Sequence, residues 1–333
     1  MRQLVNSYLH WGETILTIAH QAVYNNSNQS SQLVPVEKYM KLYSQIINKT
    51  PIHKGWSDDQ KYCAVTKDGC KYLLRISSLD RLERKQREFD QMQRVAALNI
   101  PMCLPLEFGI CDDGVYSIQS WIQGEDAEPV IMEMDPKRQY QYGLDAGRIL
   151  AKIHTISAPP EITDWETRFN TKIDRKLAMY DACELKYPND HAIIDYIEKN
   201  RPLLKGRPQC YQHGDYHIGN MMINHEGILT IIDFDRDDFG DPWEEFNRIV
   251  WCAQAAPAFA SGMVDGYFDD KVPVEFWKLL ALYIASNTLS SLPWAIPFGE
   301  EEIKVMQAQA ADVLRWYDQM HQVIPSWYKP TYL

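Results

Sequence analysis

His213-Gly214-Asp215-Tyr216-His217-Ile218-Gly219-Asn220, the apolar run Ile228-Leu229-Thr230-Ile231-Ile232, then Asp233-Phe234-Asp235 and Gly240-Asp241-Pro242 form the chemically dense part of this 333-residue chain. The apolar run reads as a strand that delivers Asp233 to its end. Asn220 stands five positions after Asp215 on the segment before that strand. Moving a phosphoryl group off a nucleotide asks for positioning and charge neutralisation more than for covalent chemistry. A carboxylate must orient the attacking hydroxyl or accept its proton, and amide and carboxylate oxygens must hold Mg²⁺ against the phosphates. Asp215, Asn220 and Asp233 are the residue types that meet those needs, and the same Asp-x-x-x-x-Asn interval occurs in kinase catalytic loops. Asp commonly caps turns, but capping alone does not call for Asn220 and a strand-end Asp together.

On the H-G-D-x-H-x-x-N box, the I-D-F-D strand end and the G-D-P that follows, the chain resembles the aminoglycoside phosphotransferase family, small-molecule kinases within the protein-kinase-like fold. The resemblance spans about residues 50 to 325. It implies an α+β, bilobal architecture: a small antiparallel-sheet N-lobe with one long helix and a larger, mostly helical C-lobe. Carried over by position, it makes Asp215 the catalytic base and Asn220 and Asp233 the magnesium ligands. His213, His217 and Asp241 would brace the loop, and Asp235 would be an additional metal or substrate contact. The implied cofactors are ATP or GTP with Mg²⁺. Two departures from protein kinases narrow the acceptor. Gly214 stands where protein kinases often carry an arginine, and only six residues separate Asp233 from Gly240, leaving hardly any activation loop. A small hydroxylated acceptor is therefore expected, not a polypeptide.

Outward from this core, Tyr62–Val65 and Lys71–Ile76 read as strands joined by the Lys67-Asp68-Gly69 turn. Leu79–Leu98 follows as a helix, then strands at Leu106–Ile110 and Val115–Ile122. Residues 49–123 are thus the expected nucleotide-binding lobe. Residues 1–48 read as an appendage, a helix near Thr14–Tyr24 plus a polar linker, and 124–333 as the helical lobe with the catalytic loop and substrate site. Helices are expected at Gln139–Ser157, Tyr187–Leu204, Trp243–Ala255, Pro273–Leu289 and Glu300–Val323. A kinase-like small lobe needs a strand cation paired to a helix carboxylate. Arg75 is the candidate, in place of the usual lysine, with Glu88 as its partner. Lys54-Gly55-Trp56-Ser57 would cover the phosphates by position alone, since no G-x-G-x-x-G is present, with Ser57 the polar contact. The resemblance further implies that backbone near Ser120 to Ile122 meets the nucleobase.

Composition bounds the rest. The chain is 45% hydrophobic and 24% charged, which are globular proportions. Its longest apolar stretch, Leu279–Ala285, is too short to cross a bilayer, and the first twenty residues lack a secretory cleavage pattern. Seven cysteines with no C-x-x-C pair suit a reducing cytoplasm. A net charge of −11 argues against nucleic-acid binding. Neither a nucleic acid nor a membrane partner is expected; the oligomeric state is open. Between Tyr211 and Asp270 there are twelve carboxylates against two arginines, Arg236 and Arg248. Acids interrupting apolar strands are costly without a nearby cation, so Asp235, Asp237, Asp238, Glu244 and Glu245 suggest a cationic acceptor such as an aminoglycoside or other antibiotic. Choline-, homoserine- or fructosamine-type metabolite kinases use the same machinery, and a catalytically inactive pseudokinase is the alternative from another class. A calcium loop beginning at Asp233 is excluded because its sixth place, Asp238, is not glycine.

Overall fold

The computed structural model describes residues 41–53 and 58–329. The chain divides into two compact units, 1–45 and 46–333. Of the first only residues 41–45 are described, containing a 3-10 turn over Leu42–Gln45; the helix expected near Thr14–Tyr24, the linker and the Ser57 loop lie outside the described residues.

The second unit opens with an antiparallel sheet of five strands, β1 (Ile46–Ile52), β2 (Gln60–Thr66), β3 (Lys71–Ser77), β4 (Pro105–Cys111) and β5 (Gly114–Ser120), in the order β1-β2-β3-β5-β4. The edge strand β1 starts inside the segment assigned above to the appendage. Its Asn-Lys-Thr-Pro interior is solvent-facing and carries no apolar alternation to announce it. The β2–β3 turn closes at Asp68-Gly69, where Gly69 takes φ +83° and donates its amide to Thr66 O at 2.9 Å. Helix α1 (Leu82–Ala96) lies against this sheet through Phe89, Met92 and Val95, three or four residues apart, with Phe89 packed on Phe108 of β4.

Beyond Ser120 the chain becomes helical: α2 (Ala127–Met132), α3 (Pro136–Ile153), α4 (Trp165–Asp181), α5 (Asp190–Asn200), α6 (Ile249–Ala255), α7 (Pro257–Phe268), α8 (Val274–Ala295) and α9 (Glu300–Trp316). Asp135 caps α3 by accepting from the amides of Lys137 and Arg138, with Pro136 at the first helical position, and Asp164 caps α4 by accepting from Thr167. Helices α2, α4 and α7 were not expected. The buried face of α4 (Trp165, Phe169, Ile173, Tyr180) is thin and interrupted by a lysine, and α7 is apolar all round with two glycines. Those glycines have a steric purpose. A Cβ on Gly262 or Gly266 would come within 2.2 Å of the Tyr140 or Leu144 carbonyl of α3, and one on Gly143 or Gly147 within 2.2 Å of the Phe259 or Met263 carbonyl of α7. Bare backbone on both sides lets the two helices cross in contact. The expected helix Glu300–Val323 stops at Trp316 because Asp318, Gln319 and Met320 all turn to positive φ.

Helix α8 with the turn after it, Val274–Phe298, is the single segment among the described residues long and apolar enough to cross a membrane; two thirds of its apolar window (67%) is buried inside the protein. It is the core helix of this unit. Two small antiparallel sheets interrupt the helices: β7 (Cys210–Gln212) with β10 (Asp238–Gly240), and β6 (Gly124–Asp126), β8 (Met221–Asn224) and β9 (Leu229–Ile231) in the order β6-β8-β9. Together they hold the dense segment in place.

Candidate active site

The loop between β7 and β8 is fixed at its start by His213, which is fully buried. Its Nδ1 accepts from the Asp215 amide at 3.3 Å, so Nε2 carries the proton and donates to Ile232 O at 3.0 Å. Phe234 packs on the ring at 4.5 Å. This places the imidazole between the loop and the strand end that presents Asp233. Gly214 follows with φ +82°, and a Cβ there would meet Arg236 O at 1.8 Å. The arginine of protein kinases is thus excluded by contact as well as by conformation. The Gly214 amide donates to buried Glu245 at 3.0 Å.

Asp215 is held from its own loop. Asn220 Nδ2 donates to Asp215 O at 2.9 Å and to its Oδ2 at 3.2 Å. Around the carboxylate stand Arg248 Nε at 3.3 Å, Arg236 Nη1 at 3.7 Å and His217 Nε2 at 3.8 Å. His217 accepts from the Gly219 amide through Nδ1, and burial, only partly opposed by the Asp215 charge, pushes its imidazole down to about 4, leaving it neutral at pH 7. Asp241 sits with no exposed surface below this loop. It accepts from Arg207 at 2.6 and 2.9 Å, from Tyr283 at 2.5 Å and from the Trp243 amide at 2.9 Å, while its carbonyl accepts from Gln212 of β7.

Asp233 occupies the left-handed region at φ +66°, a conformation Asp tolerates better than most residues. Its Oδ1 accepts from Arg75 Nη1 at 2.8 Å and lies 3.7 Å from Lys61 Nζ. Burial would raise this carboxyl, but the charges of Arg75 and Lys61 outweigh it and hold it below the usual range. Arg75, projecting from β3 and 5% exposed, also bonds Asp235 at 2.5 Å and Asp59 at 3.0 Å. Asn220, Asp233, Arg75 and Lys61 line one cleft of about 250 Å³ with Leu73, Trp121 and Ile122, between the five-stranded sheet and the helical region.

Several expectations change. Glu88 binds Lys85 at 2.8 Å and Arg84 at 2.7 Å on its own helix, and the carboxylates on Arg75 are Asp233, Asp235 and Asp59, the last at a place before β2 that gave no periodic signal. The Ser120 amide donates to Leu104 O and Ser120 Oγ accepts from Leu104 N, while Ser120, Trp121 and Ile122 all line the cleft. Four of the five acids assigned to a cationic substrate have partners of their own. Asp235 binds Arg75, Asp238 binds Arg168, buried Glu244 binds Lys172 at 3.0 Å, and Glu245 accepts from the Gly214 amide. Asp237 faces Glu88 and Asp238, and burial followed by those charges pushes its carboxyl up to about 7. The cations beside Asp215 were missed as site residues, although Arg236 and Arg248 stood out in sequence as the sole cations of the acidic window.

Solved structures of similar fold include several small-molecule kinases. A thermostable mutant of aminoglycoside phosphotransferase APH(4)-Ia, solved with ADP and hygromycin B, aligns over 82% of this chain and 95% of its own at 15% identity and a TM-score of 0.59. A choline/ethanolamine kinase family protein from Mesorhizobium loti aligns over 83% and 91% at 14% identity and a TM-score of 0.58. Amicoumacin kinase hAmiN, in complex with AMP-PNP, Ca²⁺ and Ami, aligns over 89% and 96% at 11% identity and a TM-score of 0.59. At these identities the likeness establishes the fold alone. No curated protein matches the sequence significantly. Family membership comes from the sequence itself: residues 49–277, more than half of the chain, match the family described as the phosphotransferase enzyme family, and the chain belongs to it.

Proposed function

We propose that the protein transfers the γ-phosphoryl group of ATP or GTP to a hydroxyl of a small molecule. The observation that carries this reading is the Asn220 clamp on Asp215, set beside a cleft that Asn220 and Asp233 line together with two cations. Asp215 would orient the acceptor hydroxyl and take its proton. The acceptor oxygen bonds to the γ-phosphorus, the bond from that phosphorus to the β–γ bridging oxygen breaks, and the nucleoside diphosphate leaves with the bridging oxygen. Neutral His217 keeps Asn220 and the loop in register without competing for that proton.

The donor set fits a hard divalent cation. Asn220 gives its amide hydrogens to Asp215, and Asp233 meets Arg75 through Oδ1, while its Oδ2 accepts no hydrogen bond from the described residues. An amide and a carboxylate oxygen alongside nucleotide phosphates is a usual Mg²⁺ environment. Mg²⁺ held there would neutralise charge on the β- and γ-phosphates. Lys61 and Arg75, facing the same cleft, supply the protein's own positive charge. Trp121 and Ile122 give apolar surface for a base.

The pseudokinase reading draws on Arg75, an arginine where the family strand usually has lysine, and turnover removes it. Full-length protein is expected to gain thermal stability from ATP or GTP only with Mg²⁺, and to release nucleoside diphosphate when given an acceptor. Asp215→Asn is expected to retain nucleotide affinity and lose about 10²–10⁴ in turnover; unchanged turnover would overturn the assignment of the base.

A further inference from the structure

The acceptor side of Asp215 carries more positive than negative charge. Helix α4 turns Lys172 and Lys176, four residues apart and hence on one face, toward the 3-10 turn Glu244–Arg248 that follows Gly240-Asp241-Pro242. Lys172 binds Glu244 at 3.0 Å. Lys176 is 8% exposed, and its ammonium has only Asn287 Oδ1 within reach, at 3.5 Å, among the described residues. Arg248 brings its Nε to 3.3 Å from Asp215, yet that buried nitrogen makes no hydrogen bond to any described residue. Arg236 approaches Asp215 from the loop that begins at Asp233 and remains 45% exposed. Four basic side chains therefore stand around three carboxylates, Asp215, Glu244 and the Glu245 that accepts from the Gly214 amide. Three further acids of the window are paired elsewhere, Asp235 with Arg75, Asp238 with Arg168 and Asp241 with Arg207.

A buried ammonium without a carboxylate, four residues from a second lysine, is costly to maintain. Burial, then the charges of Lys172 and Arg248, lower the Lys176 ammonium to about 7 despite Glu244. An ammonium-bearing acceptor would add to that repulsion; an anion would relieve it. Resting on the kinase reading above, we propose that the acceptor is a small polyol carrying an acidic group, a phosphate or a carboxylate, which Lys176, Arg248 and Lys172 bind while its free hydroxyl lies at Asp215. Arg236, more exposed and nearest the other oxygen of that carboxylate, would meet the nucleotide's terminal phosphate.

The test is a diphosphate-release assay on the full chain with Mg·ATP and four matched acceptor sets: polyol phosphates, polyol carboxylates, neutral polyols, and aminoglycosides with amino alcohols. One of the two acidic sets is expected to exceed its neutral counterpart by about tenfold to a hundredfold in kcat/KM, the scale of one or two charge-assisted bonds. Which of the two leads identifies the anion. Lys176→Met is expected to raise the acceptor KM by about tenfold and leave the ATP KM unchanged. Turnover of the ammonium-bearing set in preference to the acidic ones would overturn the proposal and leave the kinase reading standing. Absence of any Mg-dependent stabilisation by nucleotide would instead remove the kinase reading. If nucleotide binds but no acceptor reacts, inorganic phosphate and acetate at constant ionic strength decide the matter. One of them must raise the Tm of the Mg·ADP-bound wild type more than that of Lys176→Met, and equal responses refute the site.

Discussion

Replacing Arg75 by methionine tests the charge arrangement at its densest point. The guanidinium answers Asp59, Asp233 and Asp235 at once and is almost wholly buried. Burial pushes the Asp59 carboxyl up, but Arg75, the Ser77 hydroxyl and Lys85 overcome that and hold it at about 2 against an ordinary 3.8. A carboxyl held that far down contributes about 2 kcal/mol at neutral pH. Removing one partner of a buried ion pair commonly costs about 3–5 kcal/mol, so the Asp59 contribution, shared with Ser77 and Lys85, is a large part of the expected loss. At roughly 2 °C per kcal/mol for a domain of this size, Tm should fall by about 6–10 °C at pH 7. The pH dependence has a definite sign. Because the folded carboxyl is depressed, its stabilisation is complete above pH 3.8 and disappears as pH falls toward 2. In Arg75→Met the carboxyl returns toward its ordinary value, and little of that term is left to lose. The Tm difference between wild type and variant should therefore narrow between pH 5 and pH 3 in calorimetric scans. A difference that stays constant across that interval would show that the arginine acts by packing its hydrocarbon stem, and the electrostatic account would fail. Arg75→Lys keeps the charge but not the three-way fork, and should lie between the two.

Other outcomes follow from the same contacts. Gly214→Ala forces a side chain into φ +82° and onto the Arg236 carbonyl, so it should lower Tm and turnover together; wild-type behaviour in both would mean the loop does not rest on that segment. Asp241→Asn leaves Arg207 and Tyr283 without their carboxylate and should cost about 3–5 kcal/mol in urea unfolding, with Asp215 chemically unaltered in what remains folded. Asp233→Asn should weaken Mg-nucleotide binding by calorimetry far more than Asp215→Asn does; equal effects would contradict the division of roles.

The parts of the fold legible in the sequence were those with strong periodicity or obligatory turn residues. The hairpin at Asp68-Gly69, helix α1 and helix α3 fall there, because three- and four-residue spacing of apolar side chains has few readings. β1 was not legible, being a solvent-facing edge strand, nor was α7, whose lack of a polar face removes the helical signature. In the site, Asp215, Asn220 and Asp233 were legible because a short segment contributes all three and local geometry must bring them together. Asp59, Lys61 and Lys85 were not, since each meets its partner only across paired strands, from the neighbouring helix or, for Lys61, at the end of a distant strand.

Charge behaved least like its sequence. Twelve acids among sixty residues suggested a negative surface awaiting a cationic ligand, yet the cations that answer them come from Arg75, Arg168, Lys172 and Arg207, all outside that window. The charge balance at a buried carboxylate is weakly screened and is decided by neighbours in space, whatever their distance along the chain. Once those imported cations are placed, Asp235, Asp238, Glu244 and Asp241 are answered, and the charge beside Asp215 is set by the basic side chains around it. The two arginines it does contain both stand within 4 Å of Asp215, and α4 adds Lys172 and Lys176 around the turn that carries Arg248. An ammonium-rich acceptor must then approach Asp215 against like charge, and an acidic one approaches with it. For two acceptors of equal size and hydroxyl content, the sign of their charge should therefore decide kcat/KM here, and raising ionic strength should shrink the difference between them.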